Sequence, residues 1–460
     1  MQSEISFPQP KPQLLTPPTP KGHWFFGSGP EAAANPLKFY CRVWNELGDV
    51  VKMRTIFGIE WYLIANPAGA EQVLQTNQAN YKKPALFTKS LGMIAGNGLV
   101  TSEGDFWRRQ RRLAQPAFHR QRLALLSETM TNAATETVEN WKNTFARTGE
   151  AFDVSEEMTK LTVRIAAGTL FSADISEDAE RFGDALKIAL DHVSHRMRYP
   201  FAPPEFVPTK RNREFNRARK TLDEIVLKII RRRRIETEDK GDLLSMLIEA
   251  RDEETGEMMS DRQLKDEVMT LLIAGHETTT AGLSWGWYLL ARNDCARARL
   301  RAELELNLQG KAPTVEDLPR LPFTRMVFEE TMRLFPPAWG QPRQSIGADE
   351  IGDFRIDAGK MLVVSQYIVH RHPQFWQRPE DFCPERFTPE NSKNRPRFAY
   401  FPFGGGARQC IGNHFALMEA QIVLATIAQN FLPQPVETNQ PELDPTFALR
   451  PKNGLLMRLA

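Results

Sequence analysis

One stretch constrains the fold more than any other: SDRQLKDEVMTLLIAGHETTTAGLSWGWYLLARND, residues 260–294. Ser260-x-x-Gln263 matches a capping box and predicts a helix over 261–292. Its centre is nearly all apolar, so the helix is expected to be buried on most sides. A mostly helical pattern runs from about 105 to 340 around it. Further candidates are 121–147, 176–198, 210–234, 241–251 and 322–334, separated by turn signals at Pro200, Pro203-Pro204, Gly241 and Thr255-Gly256. Residues 50–66 are rich in β-branched and aromatic residues around Gly58 and predict a hairpin. Short strand-like segments return at 345–370. The proline-rich stretch 372–408 carries Phe375, Trp376, Phe382, Phe387 and Phe398, which predicts an ordered loop. The expectation is one mainly α domain with small β-sheets over 22–460, after an extended proline-rich segment at 1–21.

Composition narrows the class. A chain of 460 residues can bury roughly three quarters of its unfolded surface, enough to enclose a pocket. The net charge of +2 gives no general case for nucleic-acid binding. Four cysteines (Cys41, Cys295, Cys383, Cys410) have no close pairs, which argues against a disulfide framework or a Cys-x-x-Cys site and for a reducing compartment. The N-terminus has no apolar run, so neither a signal peptide nor a membrane anchor is expected, and the expected location is the cytoplasm.

Two places carry chemistry. The first is Ala274-Gly275-His276-Glu277-Thr278-Thr279-Thr280, in the middle of the long helix. Glycine and threonines are poor helix formers, and threonine hydroxyls can bond back to earlier carbonyls, so a local bend is expected. Ala274 and Thr278 share a face. Either this is a notch for helix packing, or a small ligand binds over Ala274-Gly275, with Thr278 donating a hydrogen bond and Glu277 supplying protons. A His-Glu-x-x-His zinc site is excluded by Thr280.

The second is FPFGGGARQCIG at 401–412. Its glycines do not match a dinucleotide fingerprint, since the third falls on Gln409, and no Walker lysine follows. What remains is a thiol at the start of a helix, where backbone N–H groups and the helix dipole favour the thiolate. Glycines at 404, 405, 406 and 412 would let a flat group approach the backbone, and Arg408 could neutralise an acidic substituent. A haem meets each demand: an iron ligand, close approach to a macrocycle and a charge for a propionate.

Here the sequence resembles the cytochrome P-450 family of haem-thiolate monooxygenases. The pattern Phe-x-x-Gly-x-Arg-x-Cys-x-Gly is matched by Phe403, Gly406, Arg408, Cys410 and Gly412. Ala274-Gly275-x-Glu277-Thr278 is similar to the oxygen-activation motif. Glu330-x-x-Arg333 and Pro384-Glu385-Arg386-Phe387 resemble the partners of a buried triad, Glu330, Arg333 and Arg386. Trp107-x-x-x-Arg111 resembles a propionate-contacting helix, and Arg343 sits where many members place another propionate ligand. The similarity runs from about residue 22 to the C-terminus.

The resemblance implies haem b between the central helix and the Cys-loop helix. Cys410 is the implied metal ligand, and Phe403, Gly404, Gly412, Ala274 and Gly275 line the cofactor. It further implies O2 activation with Thr278 and Glu277 delivering protons. No flavin or iron–sulfur segment follows, so electrons are expected from a separate ferredoxin or flavodoxin with its reductase. The cluster Arg108-Arg109-x-Arg111-Arg112 would steer an acidic donor, whereas Arg231–Arg234 would end a surface helix. Pocket walls are expected from the loop at 86–100 (Leu99, Val100), the 186–210 region, Leu271 with Ala274, and Ala338 with Trp339. All are mainly apolar and fit a hydrophobic substrate. The central helix and cysteine loop look most like the fatty-acid hydroxylases, with terpenoids, alkanes or retinoids as alternative substrates and a non-catalytic haem sensor as an alternative role. A monomer without a transmembrane anchor is expected.

Overall fold

The computed structural model describes residues 14–459 apart from 56–57, 173–175, 200–201, 236–239 and 437–440. Most of the proline-rich N-terminal segment therefore lies outside the described residues. Its last part runs extended along an edge strand: the Pro18 carbonyl accepts the Lys52 N–H at 2.9 Å, and the Leu15 N–H donates to the Asp353 carbonyl at 2.8 Å.

The central helix spans Asp261–Ala291 without a break, and both capping-box bonds between Ser260 and Gln263 are present. The threonine run, where a local bend or widened turn is expected, stays within the continuous α-helix. Thr278 Oγ1 donates to the Ala274 carbonyl at 2.7 Å, a bond made within the regular helix. Around this axis pack Val154–Phe171, Lys210–Ile235, Pro322–Leu334 and Asn413–Ala428. The helix expected over 121–147 is three pieces, Arg120–Leu125, Ser127–Asn143 and Phe145–Thr148. Thr144 departs from helical backbone, with φ −107° and ψ −87°. Of the run Arg231–Arg234, Arg233 is not at the surface. It is buried against Asp242 Oδ1 at 2.6 Å and Ser245 Oγ at 2.6 Å.

The hairpin expected over 50–66 forms from Val50–Arg54 and Glu60–Ile64. It is one end of a five-stranded sheet that continues through Met361–Val364, Gln341–Ser345 and Tyr81–Lys82. Arg343 pairs with Leu362 in this sheet. The proline-rich stretch after 372 is ordered by the expected triad. Arg333 donates from Nε to Glu330 Oε2 at 2.7 Å and from Nη2 to Oε1 at 2.8 Å. Arg386 Nε reaches the same Glu330 Oε1 at 3.2 Å. The remaining guanidinium N–H groups hold the carbonyls of His370, Pro379, Asp381, Gln377 and Arg378. One buried carboxylate thus pins two arginines that pin the loop leading to Cys410. His370, neutral and pulled down to about 3 by burial, accepts the Phe401 N–H at 2.9 Å at the start of that loop.

Candidate active site

The cysteine loop closes on itself where the Cys410 N–H donates to the Phe403 carbonyl at 2.9 Å. Gly404 and Gly406 have φ of +73° and +64°, the left-handed region. A Cβ on Gly404 would lie 2.7 Å from Gln341 Nε2, one on Gly405 2.5 Å from the Phe398 ring, and one on Gly406 against the Leu74 carbonyl. This corrects the expectation that these three glycines clear space for a macrocycle: they let the loop press against protein behind it. Only Gly412 lacks a close neighbour, its nearest being Phe118 at 3.8 Å.

The Cys410 thiol borders open space yet is enclosed by surrounding protein. Burial pushes the thiol above its ordinary value, while a backbone hydrogen bond at Gly412 and the Arg111 guanidinium pull the other way. Burial thus opposes the thiolate that the backbone N–H groups and helix dipole were expected to favour. A metal cation facing the sulfur would stabilise the thiolate.

At the rim sit cations with too few anions. Arg408 Nη2 meets Glu103 Oε2 at 2.6 Å, and its guanidinium lies 3.6 Å over the Trp107 ring. Among the described residues, the Arg343 guanidinium donates to the Pro342 carbonyl at 2.9 Å and to Gln341 Oε1 at 3.1 Å. Lys83 donates to the Ser102 carbonyl at 3.0 Å and lies 3.7 Å from Glu103 Oε1. Burial, with the Arg408 charge added, pulls Lys83 down to about 7 and Arg343 to about 10. Arg408 and Lys83 share the one carboxylate of Glu103, and Arg343 has no ion pair among the described residues, an arrangement that favours an acidic group from outside the chain. Lys83 escaped the sequence reading, since Lys82-Lys83-Pro84 offers no periodic cue. Arg111 reaches the cysteine loop directly. Its Nη1 donates to the Gln409 carbonyl at 2.9 Å and its Nε to Gln115, so it braces the peptide ahead of the cysteine.

Across from the loop, Leu271, Ala274, Gly275 and Thr278 of the central helix form a half-buried stripe on one face, with Glu277 and Thr280 half-buried beside it. A Cβ on Gly275 would meet nothing within 4 Å. Of the two readings of this segment, a packing notch is excluded at Gly275, where no neighbouring helix fills the gap. Glu277 points to Arg450, 3.4 Å from its Nη1. Arg450 also reaches Asp191 at 3.4 Å and Asp444 at 3.2 Å. Burial raises the Glu277 carboxyl, and the Arg450 charge opposes it.

Among the expected walls, Leu99 is buried and its N–H donates to Glu267 Oε2 at 3.0 Å. Val100 is half-buried, and the stretch before it is largely the helix Ala85–Ala95 rather than a loop. Ala338 and Trp339 are half-buried, Trp339 packing 6.2 Å from the Tyr40 ring.

An open space with a thiol on one side, a side-chain-poor stripe on the other and uncompensated cations at its rim fits a flat, acidic iron macrocycle. The fold and this site define a haem-thiolate protein. The Cytochrome P450 family model matches residues 17–458. Cyclooctatin synthase of Streptomyces melanosporofaciens is 39% identical over 88% of this chain and 87% of that one. Cyclooctat-9-en-7-ol 5-monooxygenase of the same organism is 36% identical over 87% and 86%. Pentalenene oxygenase of Streptomyces avermitilis is 34% identical over 85% of each. The crystal structure of the haem domain of cytochrome P450DA superimposes with a TM-score of 0.89 at 28% identity, covering 97% of this chain and 98% of that one. The chain belongs to the cytochrome P450 family and is a monooxygenase with haem b as its cofactor. Family membership brings a hydrophobic substrate, O2 and redox partners. Among the described residues no helix is long and apolar enough to cross a membrane.

Proposed function

We propose that the enzyme hydroxylates C–H bonds of a cyclic terpenoid. The observation that carries this reading is that the three Streptomyces relatives above are named for cyclooctatin, cyclooctatenol and pentalenene. The fatty-acid expectation draws no support from them. The apolar walls at Leu99, Val100, Leu271, Ala274, Ala338 and Trp339 suit a hydrocarbon skeleton.

When bound, the haem supplies the oxygen-activating iron and the redox chemistry. Cys410 would hold the metal from the loop side, in the loop that carries Phe403, Gly404 and Gly412. Lys83, Arg343 and Arg408 would neutralise the propionates, with Trp107 stacked on Arg408. Ala274 and Gly275 leave room for O2. Thr278 spends its proton on the Ala274 carbonyl, so its oxygen keeps lone pairs that can orient a water on the open stripe. Glu277 is the proton source, held ready by Arg450 until the carboxyl turns inward.

Titrating the haem-loaded protein with cyclic terpene hydrocarbons and alcohols, and separately with long-chain fatty acids, tests the substrate class. Spin-state shifts are expected with the terpenoids at micromolar concentration. Shifts with fatty acids alone would overturn the reading.

A further inference from the structure

Before the central helix the chain makes a tight hairpin at 251–258. Arg251 and Met258 form an antiparallel bridge, and Gly256 takes φ +69°. Asp252 organises the turn: its Oδ1 accepts the N–H groups of Glu254 at 3.2 Å and Thr255 at 3.0 Å. Its Oδ2 accepts Arg112 Nε at 3.1 Å and Nη2 at 2.7 Å, which fastens the hairpin to the helix Gly104–Ala114. Two further carboxylates then reach that helix, Glu254 to Arg112 at 2.8 Å and Glu257 to Arg109 at 3.0 Å. Both are exposed, with side chains 73% and 68% accessible.

The same helix borders a surface concavity of about 630 Å³ whose lining includes Arg108, Arg111, Arg112, His119, Arg122 and Glu253. Arg111 ties this concavity to the peptide next to Cys410. Arg122 has no ion pair among the described residues, and Arg108 meets only the exposed Asp105. Six arginines (108, 109, 111, 112, 122, 251) thus stand with five carboxylates (105, 252, 253, 254, 257), and the local charge nearly cancels. An arginine-dense face has been muted by an acidic segment of its own chain.

We propose that the hairpin is a built-in competitor of the acidic electron-donor protein expected at this arginine-lined concavity. Glu254 and Glu257 stand where donor carboxylates would bind, withholding Arg109 and Arg112. The donor is left to engage Arg108, Arg111 and Arg122 and must displace the two glutamates to gain the rest. The proposal rests on the reading that a separate protein reduces this enzyme. Its consequence is weak long-range steering, since association rates follow the summed charge of the face.

The test is the association rate of the haem-loaded protein with an acidic [2Fe–2S] ferredoxin, followed by stopped flow. At an ionic strength of about 0.01 M, where the Debye length is about 30 Å, E254Q/E257Q is expected to associate roughly three- to tenfold faster than wild type. The gain disappears near 1 M salt, where screening acts within about 3 Å. E31Q/E442Q carries the same charge change at carboxylates that pair with Arg42 and Lys452 instead, and serves as control. Equal rates for the two double variants overturn the competitor. Asp252 is untouched, so the turn keeps its anchor, and Glu254→Gln alone gives a milder second variant. R108E/R122E separates the two ideas. It slows association if the concavity docks the donor, and an unchanged rate sinks that docking reading itself.

Discussion

The two walls of the haem space are built in opposite ways. The cysteine wall is crowded. Glu330, Arg333 and Arg386 lock the approach, and Gly405 and Gly406 are pressed against Phe398 and Leu74. The helix wall is defined by what it lacks, a stripe at Leu271, Ala274, Gly275 and Thr278 with nothing packed on Gly275. The crowded wall fixes one geometry for the metal ligand and tolerates little. The empty wall leaves its space to ligands, so it can change substrate without disturbing the fold.

Cys410→Ser should break the crowded wall's chemistry completely. The reduced protein with carbon monoxide should lose the strongly red-shifted Soret band of a thiolate-ligated haem, and survival of that band would refute the ligand assignment. Arg333→Leu leaves Glu330 buried without its main partner and should cost about 3–5 kcal/mol in denaturant unfolding.

Acid should come next. His370 on the crowded wall is held down to about 3, and His276 on the central helix to about 4, both by burial. The unfolded chain binds more protons below the ordinary value of 6.5. Stability should therefore fall as pH drops from 6.5 toward about 4, by about 1.4 kcal/mol per pH unit for each histidine. A flat stability profile in that window would mean that these rings take up protons as readily in the folded chain as in the unfolded one.

A matched pair then compares the walls directly. Gly405→Ala drives a methyl to 2.5 Å from the Phe398 ring and should cost about 1–3 kcal/mol. Gly275→Ala meets nothing and should stabilise the helix by up to about 1 kcal/mol, while weakening substrate-induced spin shifts. Equal costs at both positions would erase the contrast. The smallest effect on stability is expected from Thr278→Ala, since its hydroxyl bonds only within its own helix. It should instead uncouple electron use from product formation, measured as product per electron pair.

The crowded wall was the more legible one in the sequence. Phe403, Arg408, Cys410 and Glu330-x-x-Arg333 are local patterns to which the family resemblance attached a role, and the capping box announced the central helix. Contacts between distant segments were hidden. Arg450 lies 173 residues from Glu277, and the pairing of Asp252 with Arg112 spans 140. Neither carries a periodic signal. The glycine run misled because a glycine reports close approach without saying on which side.

The extended lead-in has a consequence for handling the protein. Val50–Arg54 is an outer strand of the five-stranded sheet, and such a strand offers free N–H and C=O groups to any other chain. Here the Pro18 carbonyl occupies the Lys52 N–H, and the neighbouring prolines have no N–H with which to recruit a further strand. The segment acts as a selvedge that keeps the fabric from fraying into its neighbours. Cutting the chain after Pro20 should leave the haem space intact and make the protein self-associate.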